Sequence, residues 1–136
     1  MQAAIVDAKL PHLDTWSEGR QANAERYNQL LSQSGAEVQT PQSLQSRHIY
    51  NQYVVRVPDR DAVRDHLKNS GVGCEVYYPV PLHLQECFSD LGHSEGDFPE
   101  SERAANETLA LPIYPELSDE QAAYVVENLV EAVNKA

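Results

Sequence analysis

The segment that decides the fold reads HIYNQYVVRV and runs from His48 to Val57. Its apolar residues share one face of an extended chain: Ile49, Tyr53, Val55 and Val57. Spacing by even numbers of residues is typical of a β-strand with one buried face, and β-branched and aromatic residues favour a strand as well. The sequence therefore predicts a strand here.

The residues that follow predict a short helix and then a second strand. Asp59 is suited to cap the start of the helix, and Gly71 is suited to end it. The apolar residues of this helix are Ala62, Val63 and Leu67. The segment VGCEVYY, residues 72–78, then alternates like a strand, with four side chains on one face: Val72, Cys74, Val76 and Tyr78. We expect Cys74 to be buried in this strand.

The N-terminal 35 residues predict a long helix. Their apolar side chains recur mostly at steps of three and four residues: Ile5, Ala8, Leu13, Trp16, Ala24, Tyr27, Leu30 and Leu31. Pro11 removes one backbone hydrogen bond, so we expect a kink or a restart there, and Gly35 is a plausible end. An apolar stripe this long requires a large surface to cover it.

The C-terminal part predicts two more helices and a short strand. Pro99 is suited to be the first residue of a helix that reaches about Thr108, and LALPIYPEL, residues 109–117, favours a short strand. Ser118 and Gln121 form a capping-box pair before the last helix. Its apolar face consists of Ala122, Val126, Leu129, Val130 and Val133. We expect an α/β (α+β) fold, a small sheet of about three strands covered by helices.

Composition restricts the classes of function. The 136 residues suit one domain, and 21 acidic against 10 basic side chains give a formal net charge of −11. Such an acidic chain is poorly suited to hold phosphate backbones, so we expect no nucleic-acid partner. No apolar run is long enough to span a bilayer, and Asp7 and Lys9 interrupt any secretion signal. We expect a soluble, cytoplasmic protein with no membrane partner.

The loop YYPVPLHLQ, residues 77–85, is stiff and aromatic rather than small and polar, because Pro79 and Pro81 exclude it from helices and sheet ladders. Four possible metal ligands in this region have none of the paired spacings of zinc sites: Cys74, His83, Cys87 and His93. The cysteines also lack the spacing of a redox motif or a disulfide framework. We therefore predict no metal site.

The sequence contains no complete catalytic machinery. It has neither a nucleophile elbow nor a glycine-rich phosphate loop. Its three lysines lack the apolar neighbours that would desolvate a Schiff-base amine: Lys9, Lys68 and Lys135. From the residues alone, we predict a folded module with no catalytic or cofactor-binding residue.

Several ordered motifs resemble the C-terminal end of the DegT/DnrJ/StrS family of sugar aminotransferases. The motifs are Tyr-Tyr-Pro at 77–79, Pro-x-His at 81–83, Phe-Pro at 98–99, Leu-Pro-x-Tyr-Pro at 111–115 and Leu-Ser-x-x-Gln at 117–121. The segment KLPHLDTWSEGRQANAERYNQLL, residues 9–31, looks like the family's connecting helix between its large and small domains. The resemblance implies the small domain of a fold-type I aminotransferase, with residues 1–35 as connecting helix and residues 36–136 as small domain.

The resemblance also implies what this chain lacks. Family members are much longer, and the large domain that holds pyridoxal phosphate and its aldimine lysine has no counterpart here. By resemblance, Tyr77, Tyr78 and His83 contact the sugar nucleotide at the mouth of the active site. From the residues alone, Tyr78 could equally pack in the core, and His83 could organise the loop rather than touch the ligand.

Three interpretations stay open. The chain could form one wall of the substrate cleft in a homo-oligomeric enzyme that transfers an amino group, from glutamate by resemblance, to a nucleotide-linked keto-sugar. Such a chain would be inactive alone, whether it arises from a truncated gene, a split gene or a domain prepared by itself. It could instead be a stand-alone interaction or regulatory module with an exposed first helix. It could also be a remnant without a selected function.

Overall fold

The elements follow one another as the sequence patterns predict, with two corrections among the strands. The strand predicted over residues 48–57 begins only at Tyr53, so Ile49 lies outside it and is exposed. The second correction concerns residues 72–78. In the computed structural model, which describes residues 1–135, the chain forms five α-helices and a two-stranded antiparallel sheet. The helices are α1 Gln2–Lys9, α2 Leu13–Ser34, α3 Arg60–Asn69, α4 Pro99–Glu107 and α5 Asp119–Lys135. The strands are β1 Tyr53–Arg56 and β2 Thr108–Leu111. This mixture of helices and a small sheet confirms the predicted fold class.

The N-terminal helical region is interrupted at the predicted position. A single 3₁₀ turn, Leu10–His12, contains Pro11 and separates α1 from α2. Gly35 then ends α2 in a left-handed conformation with φ of 70°, which a residue without a Cβ adopts at little cost. From Ser17 onwards α2 is packed into the domain, whereas no residue of α1 is buried.

The sheet is smaller than predicted because residues 72–78 do not form a regular strand. The strands β1 and β2 pair from Tyr53 opposite Leu111 to Arg56 opposite Thr108. On the other edge of β2, Glu75 alone forms a bridge, with Ala110. Further pairing is prevented because Pro112 has no N–H to donate and α4 ends at Glu107, directly before β2. The predicted strand over residues 72–78 is therefore wrong.

The buried faces within residues 72–78 nonetheless follow the predicted alternation up to its last member. Val72, Cys74 and Val76 are buried, as expected for Cys74 in particular. Tyr78, which was expected to share their face, is instead 69% exposed. Tyr78 therefore does not pack in the core of this chain.

The core lies between the sheet and three helices. Helix α5 packs against both α2 and α3. The largest fully buried side chains come from every part of this arrangement: Tyr27, Tyr53, Leu67, Leu109, Leu129, Val55 and Val63. Burying one such side chain stabilises the fold by roughly 1.5–3 kcal/mol.

None of the helices within residues 1–135 is long and apolar enough to cross a membrane.

The predicted helix caps have different outcomes. The N–H of Ser118 donates to Oε1 of Gln121 over 3.0 Å, and the N–H of Gln121 donates to Oγ of Ser118 over 3.2 Å, which confirms the capping box. Asp59 precedes α3 as predicted, but its side chain makes no capping hydrogen bond. Its φ of 41° and ψ of 45° differ from the extended conformation in which a capping side chain faces the first free N–H groups.

Candidate functional site

The candidate site is built on the segment that follows the Glu75 bridge. Tyr77 and Tyr78 are 48% and 69% exposed, and their rings meet edge to face with centroids 6.0 Å apart. The peptide bond between them is cis. The structure thus presents both predicted tyrosines to solvent on one short segment.

After the tyrosines the chain turns twice in short 3₁₀ segments, Leu82–Leu84 and Glu86–Leu91. The N–H of Leu84 donates to the carbonyl of Pro81 over 3.0 Å and closes the first turn. Large apolar side chains are exposed along this region: Val80, Leu82, Leu84, Phe88, Leu91 and Phe98. So many exposed apolar groups in one region are typical of a surface that another molecule or domain covers.

His83 does not share the exposure of its neighbours. Its side chain is 8% exposed, and its Nε2 lies 2.9 Å from Oε1 of Glu102. Its ring also packs on Phe98, with centroids 4.8 Å apart. In this chain His83 therefore holds the loop to α4, in addition to any contact that it makes with a ligand.

Glu102 is a residue that the sequence reasoning missed. Its carboxylate accepts hydrogen bonds from the N–H groups of Gly96 and Phe98 as well as from His83. Burial raises the pKa of this carboxyl, but the hydrogen bonds from Gly96, His83 and Phe98 outweigh it and bring the pKa below its usual value. The only sequence signal was an acidic residue in the first turns of a helix begun by Pro99.

A shallow depression lies beside Tyr77 and encloses about 280 Å³. Its polar lining comes from three exposed side chains, those of Asn51, Gln52 and Glu75. Pro112 and Ile113 also line it. The depression is open to solvent and could receive a small polar group of a ligand that contacts Tyr77.

Metal binding finds no support in the side chains described. Across residues 1–135, no group of three His, Cys, Asp or Glu side chains is arranged to hold a metal ion. Cys74 and Cys87 are both free thiols. Burial raises the pKa of the Cys74 thiol, whose Sγ lies 3.7 Å from the carbonyl oxygen of Arg64. Burial therefore favours the neutral thiol of Cys74.

The lysines of this chain do not fit pyridoxal phosphate. Lys9 and Lys68 are exposed on α1 and α3, and Lys135 pairs with Glu131 on the surface of α5. Within residues 1–135, none of them is among the residues that line the five main surface depressions. An aldimine lysine must be held in a desolvated pocket, so none of these three residues is suited to that role.

A family model decides which group of proteins this chain belongs to. Residues 1–130 match the model of the DegT/DnrJ/EryC1/StrS aminotransferase family. The chain belongs to this family. The resemblance found in the ordered motifs of residues 77–121 is thereby confirmed.

Individual relatives support the same family. A protein named pleiotropic regulatory protein from Geobacillus stearothermophilus is 49% identical over 133 residues, covering 96% of this chain and 36% of that protein. A dTDP-3-amino-3,4,6-trideoxy-alpha-D-glucose transaminase from Streptomyces venezuelae is 35% identical over 134 residues, covering 96% of this chain and 35% of the transaminase. The chain thus spans about a third of the length of the curated relatives it matches.

The fold matches a solved family structure closely. The crystal structure of S. venezuelae DesV superposes with a TM-score of 0.91 at 32% identity, covering all of this chain and 37% of DesV. The helices and the two-stranded sheet described above are therefore an arrangement that DesV also contains.

Proposed function

We propose that this chain is the C-terminal, substrate-side part of a pyridoxal-phosphate-dependent aminotransferase that acts on nucleotide-linked keto-sugars. The observation that carries the proposal is the family match over residues 1–130, together with the exposed tyrosines on a loop anchored at both ends. In the proposal the loop forms one wall of the substrate cleft. The chain contributes no catalytic residue and does not transaminate alone.

In this proposal Tyr77 and Tyr78 donate hydrogen bonds to the sugar or to its phosphates. Both residues are substantially exposed, so in the proposal each hydroxyl is open to an acceptor on a ligand. His83 is at most a secondary contact, because its Nε2 is already engaged by Glu102. The depression beside Tyr77 offers amide groups of Asn51 and Gln52 for further polar contacts.

The same proposal assigns the parts of the chain. Residues 1–35 are the connecting helix to a pyridoxal-phosphate-binding large domain, and residues 36–136 are the small domain, on which the second half of the connecting helix packs. The large domain supplies the cofactor, its lysine and the chemistry of amino transfer. The intact enzyme is proposed to be a cytoplasmic homo-oligomer.

A chimeric enzyme tests the proposal. The last third of the S. venezuelae transaminase is replaced by this chain, and amino transfer to a dTDP-linked keto-sugar is assayed after the absorbance of bound pyridoxal phosphate confirms that the large domain is loaded. We expect transamination, with a KM for the nucleotide sugar that rises about fivefold for Tyr77→Phe or Tyr78→Phe, since each variant loses one hydrogen bond.

Tyr124→Phe is the matched control for these variants. Tyr124 is also a half-exposed tyrosine, at 50%, but it lies on α5 and its hydroxyl donates to the carbonyl of Ser70. We expect its KM to be unchanged. A chimera that binds the cofactor but transfers no amino group would refute the proposal, and equal effects of all three variants would refute the tyrosine contacts.

A second candidate function is a stand-alone interaction or regulatory module. It is favoured by the exposed apolar residues of α1 and by the name of the 49%-identical relative, pleiotropic regulatory protein. Purifying the chain from its source under mild conditions separates the two proposals. Co-purification with a pyridoxal-phosphate-binding domain, either as one longer polypeptide or as a second chain, supports the first and contradicts the second.

A further inference from the structure

Hydrogen bonds hold the chain in place at two anchors, one on each side of Tyr77 and Tyr78, and both sets of bonds go to one continuous segment of the chain. Before them, the N–H and carbonyl of Glu75 pair with Ala110 on β2 over 3.2 and 2.8 Å. After them, His83 pairs with Glu102 on α4. Helix α4 runs directly into β2, so both anchors belong to the segment Pro99–Leu111.

At the second anchor, several hydrogen-bond donors contact the carboxylate of Glu102. Oε1 of Glu102 lies 2.9 Å from Nε2 of His83, 2.9 Å from the N–H nitrogen of Gly96 and 3.3 Å from that of Phe98. Its Oε2 lies 3.0 Å from the Gly96 nitrogen. An ionised carboxylate only accepts, so the Nε2 of His83 donates in this pair. The Glu102 side chain is 16% exposed, far less than that of a free surface glutamate.

Glu100 on the same helix shows the difference. Its side chain is 75% exposed and its carboxylate pairs with Arg103, three residues further along the same helix. That contact connects two residues of α4, whereas the contacts of Glu102 connect α4 to two separate parts of the preceding loop. Exposed pairs of the first kind contribute little to structure.

We infer that Glu102 is a positioning residue for the candidate site: by fixing His83 to α4, its carboxylate sets the place of the Tyr77–Tyr78 segment. The loop between the anchors contains Pro79 and Pro81, whose rings fix φ and leave few soft torsions. When both ends of so stiff a segment are held on α4 and β2, the tyrosines between them are held as well. The ligand-binding half of this inference rests on the proposed function, whereas the ordering of the loop does not.

The variant that tests the inference is Glu102→Gln, with Glu100→Gln as its matched control. Glutamine has a similar shape but carries no charge, so its one oxygen accepts from His83, Gly96 and Phe98 more weakly than the carboxylate does. Its NH₂ group also cannot accept from the N–H of Gly96, as Oε2 of Glu102 does. We expect hydrogen exchange at Gly96 and Phe98 to accelerate about tenfold or more. We expect ¹⁵N order parameters to fall at residues 77–84, and Glu100→Gln to change neither quantity.

A second variant shows whether the pair acts as one unit. His83→Gln removes the ring from the same contact, and the double variant with Glu102→Gln should loosen residues 77–84 no more than the larger single effect. Additive effects would overturn the inference. It would also be overturned if Glu102→Gln loosened residues 94–102 alone and left Tyr77 and Tyr78 as ordered as in the unmodified chain.

Ligand binding separates this inference from the proposed function. A dTDP-linked sugar is titrated into the unmodified chain and into Glu102→Gln, and chemical-shift changes are followed at Tyr77 and Tyr78. A shift in the unmodified chain that weakens severalfold in the variant supports both ideas. No shift in either protein, combined with a loosened loop in the variant, contradicts the ligand contacts of the proposed function while the positioning of the loop by Glu102 stands.

Discussion

The hydroxyl groups of two buried tyrosines each donate a hydrogen bond within the domain. The hydroxyl of Tyr27 donates to the carbonyl of Pro112 over 2.9 Å, and that of Tyr53 donates to Oδ1 of Asn28 over 2.6 Å. Both side chains are fully buried, and their rings are 5.0 Å apart. These contacts connect α2 to β1 and to the end of β2, so the aromatic pair holds the helix on the sheet.

Tyr27→Phe should destabilise the domain by about 1–2 kcal/mol, because the Pro112 carbonyl loses its donor in a partly buried place. Urea unfolding followed by far-UV circular dichroism measures the difference. Tyr124→Phe removes a comparable hydrogen bond from an exposed tyrosine and should cost less than about 0.5 kcal/mol. If the two variants lost the same free energy of unfolding, the buried hydrogen bond would contribute no more to stability than the exposed one.

The same two phenols predict a loss of stability in alkaline solution. Burial raises the pKa of Tyr27 and Tyr53 above the ordinary value of about 10. The unfolded chain therefore releases these protons near pH 10 while the folded chain keeps them. The stabilisation is complete below pH 10 and falls as the pH rises further, by at most about 1.4 kcal/mol per pH unit for each tyrosine.

Urea midpoints measured from neutral pH to above pH 10 test this slope. In Tyr53→Phe one of the two groups cannot ionise, so stability should fall less steeply with pH than in the unmodified chain. The slopes are compared rather than the absolute stabilities, because the substitution also removes the bond to Asn28. Identical slopes would mean that Tyr53 does not take part in the alkaline transition.

At the scale of elements, α2 packs closely against the Tyr114–Pro115 turn. Gly19 and Asn23, which lie one helical turn apart on α2, make this contact. A Cβ on Gly19 would lie 3.0 Å from both Cα and Cβ of Pro115. Asn23, which is 3% exposed, donates from Nδ2 to the carbonyl of Tyr114 over 2.7 Å. Because Gly19 has no side chain, α2 can lie close to Pro115. Asn23 then donates a hydrogen bond to the backbone of the same turn.

Gly19→Ala should therefore destabilise the domain, although alanine favours an ordinary helix by about 1 kcal/mol over glycine. The added methyl group has to push a rigid proline away, which we expect to cost about 1–2 kcal/mol net in urea unfolding. Gly73→Ala is the control, because no atom lies within 4 Å of the Cβ it would add. A more stable Gly19→Ala variant would show that the turn can move away freely.

Elements whose signals lie within a few residues could be predicted from the sequence. The interruption at Pro11, the helix end at Gly35 and the Ser118–Gln121 capping box depend on their immediate neighbours. The strand over residues 72–78 could not be judged in this way. Its pairing depends on Pro112 and on the end of α4 at Glu107, both of which lie far along the chain from this segment.

The candidate site shows the same division. Its tyrosines and His83 stand in a motif that can be read directly, and the motif carried the family resemblance. Glu102 is one of 21 acidic residues, and nothing in the sequence indicates which of them His83 meets nineteen positions away. Sequence alone therefore predicted the loop but not the residue that holds it.

For the molecule as a whole, the exposed apolar side chains lie mainly in two places. One is the loop region from Tyr77 to Phe98, and the other is the N-terminal helical segment. The exposed apolar residues of that segment are Ile5, Val6, Leu10 and Leu13. Most of the remaining large apolar side chains belong to the core, so we expect a partner to bind at one of these two surfaces.

The segment from Ile5 to Leu13 should make the chain self-associate as its concentration rises. Burying each of its apolar side chains stabilises a complex by at most about 3 kcal/mol. The total gain is comparable with the free energy lost when two molecules associate, so we expect a weak complex. Sedimentation velocity over a wide concentration range should give an average mass that rises above 15.2 kDa.

Substitution identifies the surface responsible. Ile5→Gln with Leu10→Gln keeps good helix-forming residues while removing two exposed apolar groups, and this variant should stay monomeric at every concentration. Leu44→Gln is the control, because Leu44 is 86% exposed outside the helical segment and its replacement should leave the association intact. Association that survives the double substitution would place the contact elsewhere, with the Tyr77–Phe98 region as the next surface to alter. A monomeric unmodified chain would contradict the idea that α1 is an uncovered interface.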